Sequence, residues 1–440
     1  MNKNLYIETY GCQMNIADSE VIASVMAEHG YSQVQDITRA GIILINTCSI
    51  RENAEQKIWN RLKEIRSLKR KNRKIIVGLT GCMAERLKEE LLEKELIIDI
   101  IAGPDAYRDL PALAKEAENG CKAVNITLSR CETYSDISPA YDENGGISAF
   151  IPIMRGCNNM CSYCVVPYVR GAERSRDPDS ILKEAGDLVR RGFREITLLG
   201  QNVDSYKYIS GNQVTEFHHL IEKVAMTDRL LRVRFTTSHP KDISEELLRT
   251  IARNENICRH IHLPVQSGSS RILQLMNRGY TREDYFSRIS AIRNIIPDCS
   301  ISTDIITGFC TETEEDHEET LSLMKWAEFD FAYMFRYSER PGTRAARRLK
   351  DDVPEEIKLR RLNEIISLQN SLSKKSKRHD IGKVFEVLTE GFSKRSADSL
   401  TGRTSQNKVV VFPGSGKKKG DYVNVLIEDC TSATLKGRII

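Results

Sequence analysis

Tyr-Gly-Cys12, Asn-Thr-Cys48 and Thr-Gly-Cys82 each close a strand-like run, at residues 5–9, 42–46 and 74–79, and a helical pattern follows each. Alternating strands and helices predict a parallel sheet with right-handed crossovers. Parallel strands share one C-terminal edge, where α/β proteins hold ligands, so three cysteines far apart in sequence are expected to meet there. One cysteine after a strand is ordinary packing, whereas three in equivalent places make a ligand set. Gly11 and Gly81 suit a backbone that turns sharply beside a bulky group. Asp18 reads as the N-cap of a helix over 19–28 closed by Gly30.

A second triplet, Cys157, Cys161 and Cys164, follows the apolar run 149–154 in C-x3-C-x2-C spacing. Such a loop can wrap three corners of a cubane iron–sulfur cluster and leave the fourth iron open to bind and reduce something else. Zinc competes, but a closed zinc site takes four ligands and no fourth Cys or His lies close by. A disulfide with a spare thiol is the third reading, disfavoured where thiols are kept reduced. The other six cysteines, Cys121, Cys131, Cys258, Cys299, Cys310 and Cys430, show no ligand spacing.

The stretch 157–164, with Tyr163 before its last cysteine, resembles the signature of radical S-adenosylmethionine (SAM) enzymes. The resemblance implies a [4Fe-4S] cluster whose open iron chelates SAM and whose electron cleaves it to a 5′-deoxyadenosyl radical, with Tyr163 against the adenine. Glu-Thr-Tyr-Gly-Cys12-Gln-Met-Asn15, Asn46-Thr-Cys48-Ser-Ile-Arg-Glu-Asn-Ala-Glu-Gln and Gly81-Cys82-Met-Ala84 resemble the N-terminal domain of the methylthiotransferases. In that family three cysteines hold an auxiliary [4Fe-4S] cluster, and the second motif is similar to the tRNA-modifying, MiaB-type branch.

Patterning fails near 121–146, which reads as a linker. Strand-like runs then precede helical ones at 149–154, 195–199, 232–236, 260–263, 300–305 and 332–337. Six such units suggest an incomplete parallel barrel with chemistry at the C-terminal strand ends. By resemblance, Gln201, Asn202, Ser238, Gln266 and Ser267 at those ends contact SAM, with Asp304 and Arg271 as further contributors. Cys310-Thr311 stands where the family has Pro-Gly, which puts the Gly308 loop in doubt and makes Cys310 a remote candidate for an extra ligand. Arg336 and Arg340 could meet phosphates. A helix from Pro354 to about 376 is expected to pack Ile357, Leu362, Ile365, Leu368 and Leu372 on the barrel.

From Lys383 short alternating strands, at 384–389, 400–404, 408–412, 422–427 and 434–438, predict a compact five-stranded barrel. Gly402-Arg403-Thr404 and Asn407-Lys408-Val resemble the TRAM domain, an RNA-binding barrel. Lys394, Arg395, Arg403 and Lys408 would then contact phosphate, with Phe392 a stacking platform. Charge agrees: from Lys374 onward fourteen Lys/Arg face seven Asp/Glu, so the tail carries +7 and the rest of the chain −3.

The expected fold is α/β: an N-terminal parallel-sheet domain over 1–125, a linker over 126–146, a partial (βα)6 radical SAM barrel over 147–376 and an all-β barrel over 377–440. No run of about 20 apolar residues suggests a membrane span, and no apolar leader precedes the first strand, so a cytoplasmic monomer is expected. The resemblance implies methylthiolation of N6-isopentenyladenosine 37 in a tRNA anticodon loop. Two [4Fe-4S] clusters and SAM serve as cofactors, sulfur- and electron-donor proteins as partners, and no catalytic side chain acts beyond the cluster ligands. Gln13, Asn15 and Asn46 are weaker RNA candidates. Rival substrates are threonylcarbamoyl-adenosine 37 and a ribosomal-protein aspartate; a non-catalytic tRNA-binding iron–sulfur sensor is the rival of another class.

Overall fold

A computed structural model describes residues 2–48, 52–88, 91, 97–141, 146–394, 396–414 and 416–440. The chain forms two compact units: residues 1–144, 150–160 and 164–184, and residues 145–149, 161–163 and 185–440.

The first unit is built on a six-stranded parallel sheet, in the order Ser32–Gln33, Asn4–Thr9, Ile42–Thr47, Ile76–Gly81, Ile100–Ala102 and Ala123–Asn125. Strands Ile42–Thr47 and Ile76–Gly81 are buried along their whole length, as central strands covered by helices on both faces must be. Leu5, Ile42, Leu44 and Ile76 pack to one side with Ile22 and Tyr107, and Ile43, Ile45, Val77 and Leu79 to the other with Ile58 and Leu62. Each such aliphatic side chain contributes roughly 1.5–3 kcal/mol by leaving water. The strand ends are level: Thr9 pairs with Asn46, and Thr47 with Gly81.

Three expectations change here. The first helix is Gln13–Glu28 and its N-cap is Cys12, six residues ahead of Asp18. Asp18 caps nothing; it lies fully buried on that helix. Ala123–Asn125 completes the sheet at the edge of the stretch expected to be a linker, and from within that stretch Tyr134 and Ile137 join the core. Three-residue strands carry too little periodicity to stand out in a sequence.

In the second unit the strands Glu195–Leu199 and Arg232–Thr236 pair in parallel, as do His260–His262, Ser300–Thr307 and Phe331–Arg336. In the first group a parallel bridge also joins Val233 to Ile257. Helix Glu355–Arg378 packs on this framework through Lys358, Arg361, Ile365, Gln369, Ser373 and Lys377. Of the five apolar residues expected on that face, only Ile365 is buried. Gln369 and Ser373 instead bond the carbonyls of Phe329 and Asp330, and Arg361 pairs with Glu312.

Residues from Val384 form a closed barrel with Val387, Leu400, Val410, Phe412, Val425 and Leu435 inside. It is fastened to the parallel strands. Arg232 donates to the Arg403 carbonyl at 2.5 Å, Arg234 to the carbonyls of Thr404 and Ser405 at 2.8 and 3.1 Å, and Tyr422 to the Leu230 carbonyl at 2.6 Å.

Candidate functional site

Cys12 follows strand Asn4–Thr9, Cys48 follows Ile42–Thr47 and Cys82 opens helix Cys82–Leu87 directly after Ile76–Gly81. Gly11 has φ +136°, and a Cβ there would lie 2.4 Å from that of Cys48; Gly81 has φ +86°, with Asn46 Oδ1 2.5 Å from the same notional atom. The thiol-bearing turns are thus pressed together where only glycine fits. A hydrogen bond from Cys48, helped by Arg170 and by the backbone N–H groups of Asn15 and Met14 against the effect of burial, brings the Cys12 thiol down to about 6. Burial pushes Cys82 up, and Arg170 opposes it, its Nε 3.2 Å from Cys82 Sγ.

Behind the thiols lies a buried charge network. Asp18 accepts from Arg155 and Arg170, each at 2.8 Å, and from Tyr107 at 3.2 Å. Full burial raises the Asp18 carboxyl, but the two guanidiniums prevail and hold it below its usual value. Asn15 and Asn46, weak candidates for RNA contact, are fully buried and bonded to each other, so they brace the turns instead.

In the second triplet Cys157 and Cys164 belong to the first unit. Cys157 Sγ accepts from the N–H of Asn159, and Cys164 Sγ from that of Val166, both at 3.4 Å. Gly156, at φ +74°, brings the chain so close to the Ala172 carbonyl that a Cβ would stand 2.1 Å from it. Cys161 and Tyr163 belong to the second unit. There Arg278 Nη1 donates to Cys161 Sγ at 3.2 Å, and the Tyr163 ring meets Phe309 edge-on, centroids 6.4 Å apart.

Among the described residues no three His, Cys, Asp or Glu side chains converge as chelators of one metal ion. A cubane asks for something different, since each iron takes its own thiolate and the three sulfurs spread over three corners. Soft thiolate donors and buried cations facing two of their sulfurs suit an anionic iron–sulfur cluster. Among the described residues Arg170 Nη1 is buried without a hydrogen-bond partner, a donor open to an anionic acceptor. The residues present therefore fit the group.

At the strand ends of the second unit, Asn202 donates to Asp242 at 2.7 Å, while its Oδ1 is buried without a partner. Ser238 donates to Asp204 at 3.1 Å, and burial pushes the Asp204 carboxyl up to about 7. Ser267 is fully buried and accepts from the Ser269 N–H at 3.2 Å. Gln266 adopts φ +71° and bonds the Asp304 carbonyl through its backbone N–H, and Asp304 Oδ1 stands 3.4 Å from His262 Nε2. Gln201 is half-buried beside them. Ser238 and Ser267 thus shape loops, whereas Asn202 Oδ1 remains open to a donor. Arg271 pairs with Asp316. Cys310 lies in an apolar cluster with Phe309 and Tyr337, as a packing residue would.

The RNA candidates separate. Lys394 is exposed and Phe392 is 70% exposed. Arg336 pairs with Glu355 at 2.9 Å, both side chains in solvent, and Arg403 with Glu390 at 2.9 Å. Arg340 lies half-buried after strand Phe331–Arg336. Arg395 lies outside the described residues. Lys408 has partners within the fold: its side chain is 12% exposed and its ammonium sits 2.6 Å from Asp380 and 3.4 Å from Asp330, so it joins the closed barrel to its support. Asp18, Arg170 and Arg278 escaped the sequence because their partners lie far along the chain.

Three family models match the chain: the uncharacterized protein family UPF0004 over residues 4–103, the radical SAM superfamily over 151–324 and the TRAM domain over 378–440. A solved radical SAM methyltransferase, TsrM from Kitasatospora setae, is similar in fold, with TM-score 0.56 and 15% identity over 78% of this chain and 75% of that one. The cobalamin-dependent SAM radical enzyme OxsB, with TM-score 0.54 and 13% identity, covers 83% of this chain and is itself covered to 56%. Among curated proteins, the tRNA-2-methylthio-N(6)-dimethylallyladenosine synthase of Bacteroides fragilis is 59% identical over 99% of this chain and 95% of its own. Those so named in Phocaeicola vulgatus and Porphyromonas gingivalis are 58% and 56% identical, over 96% and 95% of their lengths. With identity of this order over whole lengths, the chain belongs to the tRNA-2-methylthio-N(6)-dimethylallyladenosine synthase family of radical SAM proteins.

Proposed function

We propose that this chain converts N6-isopentenyladenosine 37 of tRNA to its 2-methylthio derivative. The observation that carries the reading is its full-length identity with relatives of that name. Cys157, Cys161 and Cys164 would hold the cluster that binds SAM, and Cys12, Cys48 and Cys82 the auxiliary one. When bound, these groups supply reductive SAM cleavage, hydrogen abstraction at C2 of the adenine, and the sulfur and methyl group to be transferred.

The polypeptide binds, positions and shields. Gly11 and Gly81 let the first three thiols approach, and the Asn15–Asn46 pair fixes their turns. Backbone N–H groups at Asn159 and Val166 donate to the sulfurs of Cys157 and Cys164 and would help to orient them as ligands. Asn202 Oδ1, Gln201, Gln266 and Asp304 at the strand ends, with Tyr163, would contact SAM. Single-stranded bases can be splayed into such a pocket, while exposed Phe392 and Lys394 grip the RNA elsewhere. No side chain is needed as a strong base, because the radical takes the hydrogen. We assign modules near 1–125, 147–376 and 377–440, a cytoplasmic setting, and donor proteins for sulfur and electrons. No described helix is long and apolar enough to cross a membrane.

The test is mass spectrometry of nucleosides from tRNA incubated with anaerobically reconstituted protein, SAM, sulfide and dithionite. 2-Methylthio-N6-isopentenyladenosine should appear, and vanish with Cys12→Ala or Cys157→Ala. Formation of 5′-deoxyadenosine without that nucleoside would refute the substrate.

A further inference from the structure

A guanidinium sealed from water without an anionic partner costs several kcal/mol, so such an arginine points to the anion it serves. Arg278 is 6% exposed and spends its donors on the Pro264 carbonyl at 3.0 Å, Tyr280 Oη at 3.0 Å and Cys161 Sγ at 3.2 Å. The groups that act most strongly on its charge are Tyr280, Tyr163 and Cys161, none of them a carboxylate.

The first unit repeats this imbalance with different parts. Arg155, Arg170 and Arg174 are buried with Asp18 and Asp105; Asp18 takes Arg155 and Arg170, and Asp105 takes Arg174 at 3.0 Å. Burial, opposed by Lys88, pushes the Glu85 carboxyl up to about 7, so it adds little negative charge to this network. Three guanidiniums against two carboxylates leave one positive charge over, and Arg170 Nε turns to Cys82 Sγ. Arg170 Nη1 remains a buried donor without an acceptor.

We propose that Arg170 and Arg278 are matched positioning residues, each delivering one unbalanced buried charge through an N–H···S bond to one cysteine of each triplet. Each thereby raises the reduction potential of the cluster held there. The inference rests on the two-cluster reading above. A cluster on three thiolates is anionic and gains a further negative charge when it accepts one electron, so a fixed buried cation favours its reduced form. Hydrogen bonds to the sulfurs act in the same sense.

Full-length protein with Cys157, Cys161 and Cys164 changed to Ala isolates the first triplet; changing Cys12, Cys48 and Cys82 isolates the second. Each is reconstituted anaerobically with iron and sulfide, then titrated with dithionite through mediators and followed by electron paramagnetic resonance. In the second background R278Q is expected to disfavour the reduced form tenfold or more, which is 59 mV for a one-electron couple, while R170Q leaves it unmoved. The first background should give the converse. R278K and R170K keep the charge but lose the forked donor, and should shift threefold or more in the same direction. A shift below twofold in the matched background, with iron content unchanged, overturns the proposal. The Lys variants decide by the same threshold where circular dichroism shows that a Gln variant has not folded. Iron content undiminished in the triple-Ala backgrounds would mean that the two-cluster reading, and not the arginine assignment, had failed.

Discussion

Asn15 donates its side-chain amide to Asn46 Oδ1 at 3.1 Å, and Asn46 returns a bond to the Asn15 carbonyl at 2.9 Å. The pair ties the helix capped by Cys12 to the strand that ends before Cys48. Asn46→Leu leaves the Asn15 amide short of an acceptor in a buried place, at a cost of about 1–3 kcal/mol. With the second triplet changed to Ala, iron bound by the variant should fall by at least half. Unchanged iron content and an unchanged urea midpoint would show that the pair does not hold the thiols in place.

Arg234 donates to Glu195 at 2.7 Å as well as to the two barrel carbonyls, and both side chains are buried. Arg234→Met therefore strands a buried carboxylate and should destabilise the protein by about 3–5 kcal/mol. Adding Glu195→Gln should recover much of that loss in urea denaturation. Equal stability of the single and double variants would refute the coupling.

Two lysines of the closed barrel should behave oppositely. Lys394→Ala is expected to leave stability alone and lower the salt dependence of tRNA binding by about one unit of slope. Phe392→Ala should weaken binding by about 1–3 kcal/mol if bases stack there. Lys408→Ala leaves the buried Asp380 with only the more distant Lys383, so it should lower the unfolding temperature and leave the salt slope of the folded protein as it was. A reduced slope in Lys408→Ala would contradict its place in the junction.

Burial, with Glu184 nearby, pushes the Glu20 carboxyl up to about 8. An unfolded Glu titrates near 4.3, so between about pH 4.5 and 8 the folded chain holds a proton that the unfolded chain has lost. Stability must then fall as pH rises through that window and level off above it. Glu20→Gln removes this slope: its unfolding free energy from urea denaturation should match wild type near pH 4.5 and exceed it toward pH 8, by on the order of 2–4 kcal/mol. Parallel pH profiles would place the titration elsewhere.

Cys12, Cys48 and Cys82 were legible because a strand announces itself by its apolar run and topology then fixes where its end lies. The same logic recovered Glu195–Leu199 and Arg232–Thr236 to the residue. Asp18 was misread because an acidic residue ahead of an apolar run looks like a cap, while its partners Arg155 and Arg170 lie 137 and 152 residues away. Lys408 shows the converse: a lysine in a basic tail looks like a phosphate contact, and its neighbours Asp330 and Asp380 are visible only in the fold. Helix Glu355–Arg378 shows a third limit, since its inward face is polar and satisfies loop carbonyls, which apolar periodicity does not report.

The closed barrel bears on the parallel strands through carbonyls at Arg403, Thr404 and Ser405, and backbone carbonyls cannot swing as side chains do. The span from Phe392 and Lys394 to the strand ends at Asn202 and Gln266 is therefore a fixed length of the folded chain. Were RNA gripped at Phe392 and Lys394, such a module would act as a ruler: it would select a nucleotide by its distance along the RNA from the point of grip, and base identity would need checking only once that nucleotide had arrived.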